Sequence, residues 1–197
     1  MRKQHVLALI ETGIFVGMAV VLDAIFGAIY SLPYGGSIGF AMLPIFIVAS
    51  RRGPKYGLLA GLLFGLIQTA IKVYFLNFAQ YFLDYILAFT VLGVGAFIPG
   101  SLKKASRFIW LIVIGSVLRL IAASLAGVAY WAEYIPGEME WVDTIFNTNI
   151  VESLSENALI FIGAFIYNSL YMVPSAILTI LLGYIMHKRG IIQYRLD

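Results

Sequence analysis

The sequence has no cysteine, two histidines, and only 13 basic and 10 acidic side chains among 197 residues. Without cysteine there is no disulfide frame, no thiolate nucleophile and no iron–sulfur or cysteine–zinc site. With His5 and His187 as the only imidazoles, the zinc-protease pattern H-E-x-x-H is missing,. The phosphate-cradling G-x-x-x-x-G-K-[ST] loop is missing too, so any nucleotide hydrolysis has to come from another chain. Charged residues make up 12% of the chain, against about 25% in ordinary soluble domains,. What fills the space is apolar: 61% of residues are hydrophobic and the mean hydropathy is +0.94. So few charges cannot cover a water-exposed surface of this size, which places the protein in a lipid bilayer.

Hydrophobic runs predict helices at about 6–30, 38–50, 56–75, 80–99, 107–130 and 157–186, forming a single domain over 1–197,. The second run is short, closed by Gly35-Gly36-Ser37 on one side and Arg51-Arg52-Gly53 on the other. Pro54 suits the first turn of the third helix, Ser153-x-x-Glu156 reads as a capping box opening the sixth, and Pro174 is expected to kink that helix. The first run has no small-residue cleavage site after it and reads as a retained helix.

Eleven of the 13 Lys and Arg residues fall on one side of a six-span alternation: Arg2, Lys3, Arg51, Arg52, Lys55, Lys103, Lys104, Arg107, Lys188, Arg189 and Arg195. The opposite loops, 31–37, 76–79 and 131–156, have none, and the last carries Glu133, Glu138, Glu140, Asp143, Glu152 and Glu156. The positive-inside rule predicts an all-α, six-transmembrane-helix bundle of the plasma membrane with both termini cytoplasmic. The basic excess is therefore a topology signal and implies no nucleic-acid partner.

Five charges fall inside the predicted spans: Glu11, Asp23, Lys72, Asp84 and Arg119. Each costs roughly 2.5–3.5 kcal/mol at mid-bilayer, so partners or a wet cavity are expected around them. Glu11 and Arg119 are assigned to stabilising the bundle, and Lys72 is an alternative structural partner for Asp84. Helical spacing puts Gln80 and Asp84 on one face, with Tyr81 and Tyr85 beside them. Tyr30, Tyr34, Tyr74, Tyr130, Trp131, Tyr134, Tyr167 and Asn168 gather on the same outer side, either as an interfacial belt or around a site,. An acid ringed by aromatic faces suits a flat organic cation or a polar heteroaromatic ligand.

Glycines recur as Gly13-xxx-Gly17 on the first helix and as Gly57, Gly61 and Gly65 on the third, spacings that permit close helix approach,. Internal packing is expected of the second set, whereas Gly13 and Gly17 suit a partner subunit equally well. Gly35-Gly36-Ser37-Ile38-Gly39 matches the hydrolase pattern G-x-S-x-G, but both histidines map to the opposite membrane face from Ser37, which excludes a Ser–His pair. Neither a catalytic group nor a metal site is expected.

Taken in order, several segments resemble a known family. They are Gly35-Gly36-Ser37-Ile38, Met42-Leu43-Pro44-Ile45, Arg51-Arg52-Gly53, Gly57-Leu58-xx-Gly61-xxx-Gly65-Leu66-x-Gln68, Leu83-Asp84-Tyr85-xx-Ala88-Phe89, Gly127-xxx-Trp131 and Tyr167-Asn168. Together the chain resembles the substrate-binding S components of energy-coupling factor (ECF) vitamin transporters, and within them the thiamine-specific members. The resemblance implies a non-enzymatic six-helix bundle, without cofactor, that binds its vitamin near the outer face beneath the loop joining helices one and two. It implies partnership with a membrane coupling subunit and two cytoplasmic ATPases. Carried onto this chain, the ligand-binding residues are Asp84, Tyr85, Trp131, Tyr34, Tyr167 and Asn168, with Tyr74 and Gln80 added from the position of the aromatics and the helix face. Gly13 and Gly17 become the coupling face. Ala123 stands where the family carries a histidine, four residues after Arg119. A pyridoxine-like or hydroxymethylpyrimidine-like ring also fits these residues, and a structural membrane protein with belt aromatics is the remaining alternative.

Overall fold

Backbone surrounded by hydrocarbon has to satisfy its own N–H and C=O groups, and the long apolar runs do so as helices. A computed structural model describes residues 2–33, 35–71 and 78–193. Its helices are α1 (Arg2–Ile29), α2 (Leu43–Arg52), α3 (Pro54–Ile71), α4 (Phe78–Phe97), α5 (Ala105–Tyr130), α6 (Ile135–Phe146), α7 (Ile150–Ser153) and α8 (Glu156–Lys188). Five of them (α1, α3, α4, α5 and α8) are long and apolar enough to cross a membrane.

The expected second span is corrected to a ten-residue helix that begins at Leu43, not at 38. At about 1.5 Å per residue it is roughly 15 Å long, half the hydrocarbon thickness. Pro44 explains the start, because a proline in the first turn costs no intrahelical hydrogen bond,. Burial compensates for the shortness: Leu43 to Arg51 are all buried, wrapped by the longer helices.

The acidic segment 131–156, expected as a loop, is corrected as well. Ile135, Met139 and Val142 repeat at helical spacing, and they pack α6 against α8 in a cluster with Leu32, Leu159, Ala164 and Tyr167,. Asp143 closes the turn after α6, accepting from Thr148 Oγ1 at 2.6 Å, Ile150 N at 2.8 Å and Val151 N at 3.0 Å. Desolvation acts to raise its pKa, but these hydrogen bonds outweigh it and hold the carboxyl below its usual range,. The expected capping box is not formed. Ser155 is the N-cap of α8 and makes no side-chain cap bond, while Ser153 ends α7 with its hydroxyl on Ile150 O.

The interior is built by close approach of α3 and α4. A methyl added at Gly61 or Gly65 would overlap the carbonyl oxygens of Phe89 or Tyr85, so only hydrogen lets these backbones touch,. The internal packing expected of this glycine set is what the fold uses. α4 changes pitch along its length: a π turn over Phe82–Leu87, a short α segment, then a 3-10 stretch over Val91–Phe97. α8 continues through Pro174, with the Ser175 hydroxyl bonded to Tyr171 O at 2.6 Å.

Among the described residues, the charge of Glu11 inside the bundle is paired. Glu11 bridges Arg51 at 2.6 Å and Arg52 at 2.5 Å, all three side chains nearly excluded from solvent. The stabilising role expected of Glu11 therefore has a partner set. Outward faces are apolar, with Ile14, Val21, Trp110, Val117, Phe161 and Leu181 exposed, as a lipid-facing surface requires,. Gly13 and Gly17 lie on this exposed side of α1, and a methyl added at either would meet nothing within 4 Å.

Candidate functional site

A cavity of about 590 Å³ opens between α1, α3, α4, α5, α6 and α8, within the range of small-molecule sites,. Six of the eight ligand-binding residues expected from sequence line it: Gln80, Asp84, Tyr85, Trp131, Tyr167 and Asn168. The other two, Tyr34 and Tyr74, lie outside the described residues, as does Lys72.

Asp84 is the polar centre. It sits in the π turn of α4, one turn after Gln80, whose amide donates to Oδ2 at 2.9 Å. The indole N–H of Trp131 donates to the same oxygen at 3.0 Å. Trp131 terminates α5, its backbone N–H closing on Gly127 O at 2.9 Å, so the helix end itself aims the ring across the cavity at α4. Both of these bonds fall on Oδ2, and Asp84 lines the cavity. Tyr81 and Tyr85 stack with centroids 6.2 Å apart, and Tyr134 meets the Trp131 indole edge-on at 5.4 Å.

The helix-α8 pair works together with a residue that sequence reasoning missed. Tyr171 donates its hydroxyl to Asn168 Oδ1 at 2.6 Å, and the Asn168 amide is in turn tied to Ala164 O at 2.9 Å. Both ends of the amide are thereby fixed in orientation at the cavity wall. Tyr167 donates to Gly35 O at 3.2 Å, and Ser175 Oγ accepts from Gly39 N at 3.1 Å, so α8 holds the 31–42 connection over the cavity. Gly36, with φ +88, packs so close to the Tyr171 ring that a side chain there would strike it. That loop positions backbone over the site; it carries no nucleophile–base pair. His5 bonds Tyr56 and His187 bonds Ser101 O and Gln193, away from Ser37, in line with the exclusion of a hydrolase.

Three charged residues that the sequence reading did not assign to the site also line the cavity. Arg119, expected only to stabilise the bundle, lines the cavity. Its guanidinium stands 4.5 Å from the Phe89 ring centroid, Nη1 lies 2.8 Å from Met42 Sδ, and Nε has no hydrogen-bond partner among the described residues. Asp23 lines the cavity from α1 and accepts from the Gln68 amide at 2.9 Å. Glu138, counted among the acids of an external loop, is buried at 8% exposure and enters from α6. Burial pushes its carboxyl up to about 7,. The signal for Glu138 was available in the Ile135, Met139 and Val142 periodicity, which places position 138 next to the buried stripe; Pro136-Gly137 disguised the helix as a turn. Ala123, where the resembled family has histidine, also lines the cavity and leaves room in place of a ring.

Among the described residues the lining holds three acids, Asp23, Asp84 and Glu138, against one base, Arg119. A carboxylate among aromatic faces can offset the charge of a flat cation, and each ring face can add about 0.5–2 kcal/mol. Among the described residues no group of histidines and acids has the makings of a metal site.

Comparison with known proteins gives one consistent picture. The sequence model of the family described as "Thiamine transporter protein" matches residues 9–166. The thiamine transporter ThiT of Bacillus subtilis (strain 168) is 32% identical over 189 residues, 90% of this chain and 88% of that protein. The thiamine transporter ThiT of Lacticaseibacillus paracasei is 28% identical over 162 residues, 71% of this chain and 77% of that protein. The solved structure of ThiT from Listeria monocytogenes superimposes with a TM-score of 0.72 at 23% identity, covering 95% of this chain and 96% of that one. That likeness establishes the shared fold.

Proposed function

Since this chain belongs to the thiamine transporter protein family, we propose that it binds thiamine in the cavity around Asp84 and serves as the substrate-binding S component of an ECF-type uptake system. It is a multi-pass protein of the bacterial cell membrane and a transport protein, not an enzyme. The observation that carries the thiamine assignment is the meeting of Asp84, Trp131, Gln80, Tyr85, Tyr167 and Asn168 in one cavity of suitable volume. Asp84 Oδ1 then faces the thiazolium charge, the Trp131 and Tyr85 rings flank a flat ring, and Asn168 hydrogen-bonds a heteroaromatic edge.

We further infer six membrane passages with both termini cytoplasmic, α2 being completed across the bilayer by the irregular 38–42 segment buried in protein. The basic loops support this orientation: Arg51, Arg52 and Lys103 line a common hollow where the end of α2 meets the loop after α4,. The partners are the membrane coupling subunit and its two ATPases, docked against the exposed Gly13–Gly17 face of α1,.

Titrating the tryptophan fluorescence of detergent-solubilised protein with thiamine tests the assignment. Saturable quenching is expected in the parent and is lost in Trp131→Phe. A full signal in that variant moves the ligand away from the cavity, and no saturable response in the parent ends the thiamine reading.

A further inference from the structure

α6 turns Ile135, Met139 and Val142 toward α8, yet its remaining buried position is a carboxylate, Glu138. Glu140, two residues on, stays exposed, so the helix had a solvated position available for an acid. Glu138 lines the cavity instead, where no hydrogen bond from a described residue offsets its desolvation. A buried, unpartnered acid is costly unless something else meets it.

The titratable and charged groups around it come from every neighbouring element. α8 contributes Tyr167 and Tyr171, α4 contributes Asp84 and Tyr85, α5 contributes Arg119, α1 contributes Asp23, and Tyr134 stands at the start of α6. Glu152 on α7 is exposed, and Asp143 is engaged in the turn after α6. Tyr171 lies within electrostatic reach of Arg119, Asp84 and Glu138 together, so these three charges share one small space. Among the described lining residues Arg119 is the single cation beside three acids.

We propose that Glu138 is a second cation-recognising carboxylate of this cavity and couples the arrival of a positively charged ligand to the release of a proton. The inference rests on the thiamine reading above and deepens it. In the empty cavity burial holds the Glu138 proton up to about pH 7; a cation beside it favours the carboxylate,. The sign follows by linkage. Ligation lowers the pKa of Glu138, so affinity is full above about pH 7 and falls as pH drops through that value. With the liganded pKa two or more units lower, affinity at pH 6 is about tenfold below that at pH 8,.

Calorimetry on the solubilised full chain tests this, with thiamine and with the uncharged analogue 3-deazathiamine, at pH 6, 7 and 8 in buffers of different ionisation enthalpy. The expected result is a tenfold weaker thiamine Kd at pH 6 than at pH 8, about half a proton released at pH 7, and no pH slope for the neutral analogue. Glu138→Gln is expected to bind thiamine with a flat pH profile and no proton release, while Glu138→Asp retains the slope. If Glu138→Gln does not fold, proton release that persists in Asp84→Asn with thiamine but not with 3-deazathiamine, and a pH slope retained in Glu138→Asp, decide the question. Thiamine binding with equal affinity at pH 6 and 8, a slope that persists in Glu138→Gln, or an equal slope for the neutral analogue overturns the role of Glu138 and leaves thiamine binding intact. An absence of thiamine binding at every pH overturns both.

Discussion

Asp84→Asn removes one unit of charge from the cavity while keeping the shape of the side chain. Both donors that hold Asp84, the Gln80 amide and the Trp131 indole, converge on Oδ2. An asparagine placed with its carbonyl oxygen there accepts both bonds, so the cavity wall is preserved and only the atom facing the ligand changes. That atom switches from a charged acceptor to an N–H donor. A unit charge about 4 Å from a carboxylate interacts by about 4 kcal/mol at an effective dielectric of roughly 20. Desolvation of thiamine and of the carboxylate offsets part of this, leaving an expected loss of at least about 1.4 kcal/mol, or tenfold in Kd. Calorimetry with thiamine reads the loss directly, and the thermal midpoint of the unliganded variant should be equal to or above the parent's. A variant Kd within about twofold of the parent, ~0.4 kcal/mol, would refute the placement of the cation against Asp84.

Glu11→Gln leaves Arg51 and Arg52 buried without their shared partner and is expected to lower stability by about 3–5 kcal/mol,. Thermal unfolding in detergent measures it; thiamine affinity should be unaltered in the folded fraction. Gly65→Ala drives a methyl into the Tyr85 carbonyl and pushes α4 away from α3. It is expected to cost about 1–3 kcal/mol and to weaken thiamine binding as well, because Asp84 and Tyr85 ride on the displaced turn. Gly17→Leu meets open space on α1, so fold and thiamine affinity should persist while co-purification with the coupling subunit is lost.

The apolar runs located the spans to within a few residues at most ends, because hydrocarbon thickness and backbone satisfaction leave helices little choice. The Gln80–Asp84 pair was legible for the same reason: i,i+4 spacing fixes a shared face. What escaped was tertiary. Arg119 carries no local mark separating a guanidinium that braces a bundle from one that borders a cavity; only the tertiary packing that sets it over the Phe89 ring does so. Glu138 was hidden by its own company, since six acids in a row of loop-like residues read as a solvated surface although one of them turns inward. Pro44 did mark the true start of α2, but a run of apolar residues before it suggested an earlier one.

The wide turn at Phe82–Leu87 has a consequence for how this span tolerates change. Such a turn holds one residue more than a regular one over nearly the same rotation. Deleting a single residue there would let the coil relax to ordinary pitch, with Gln80 and Phe89 kept close to their present phase. The same deletion in a regular turn would rotate one half against the other by about 100°, the angle per residue of a regular helix. The span therefore carries its own slack, and carries it at the level of the acid.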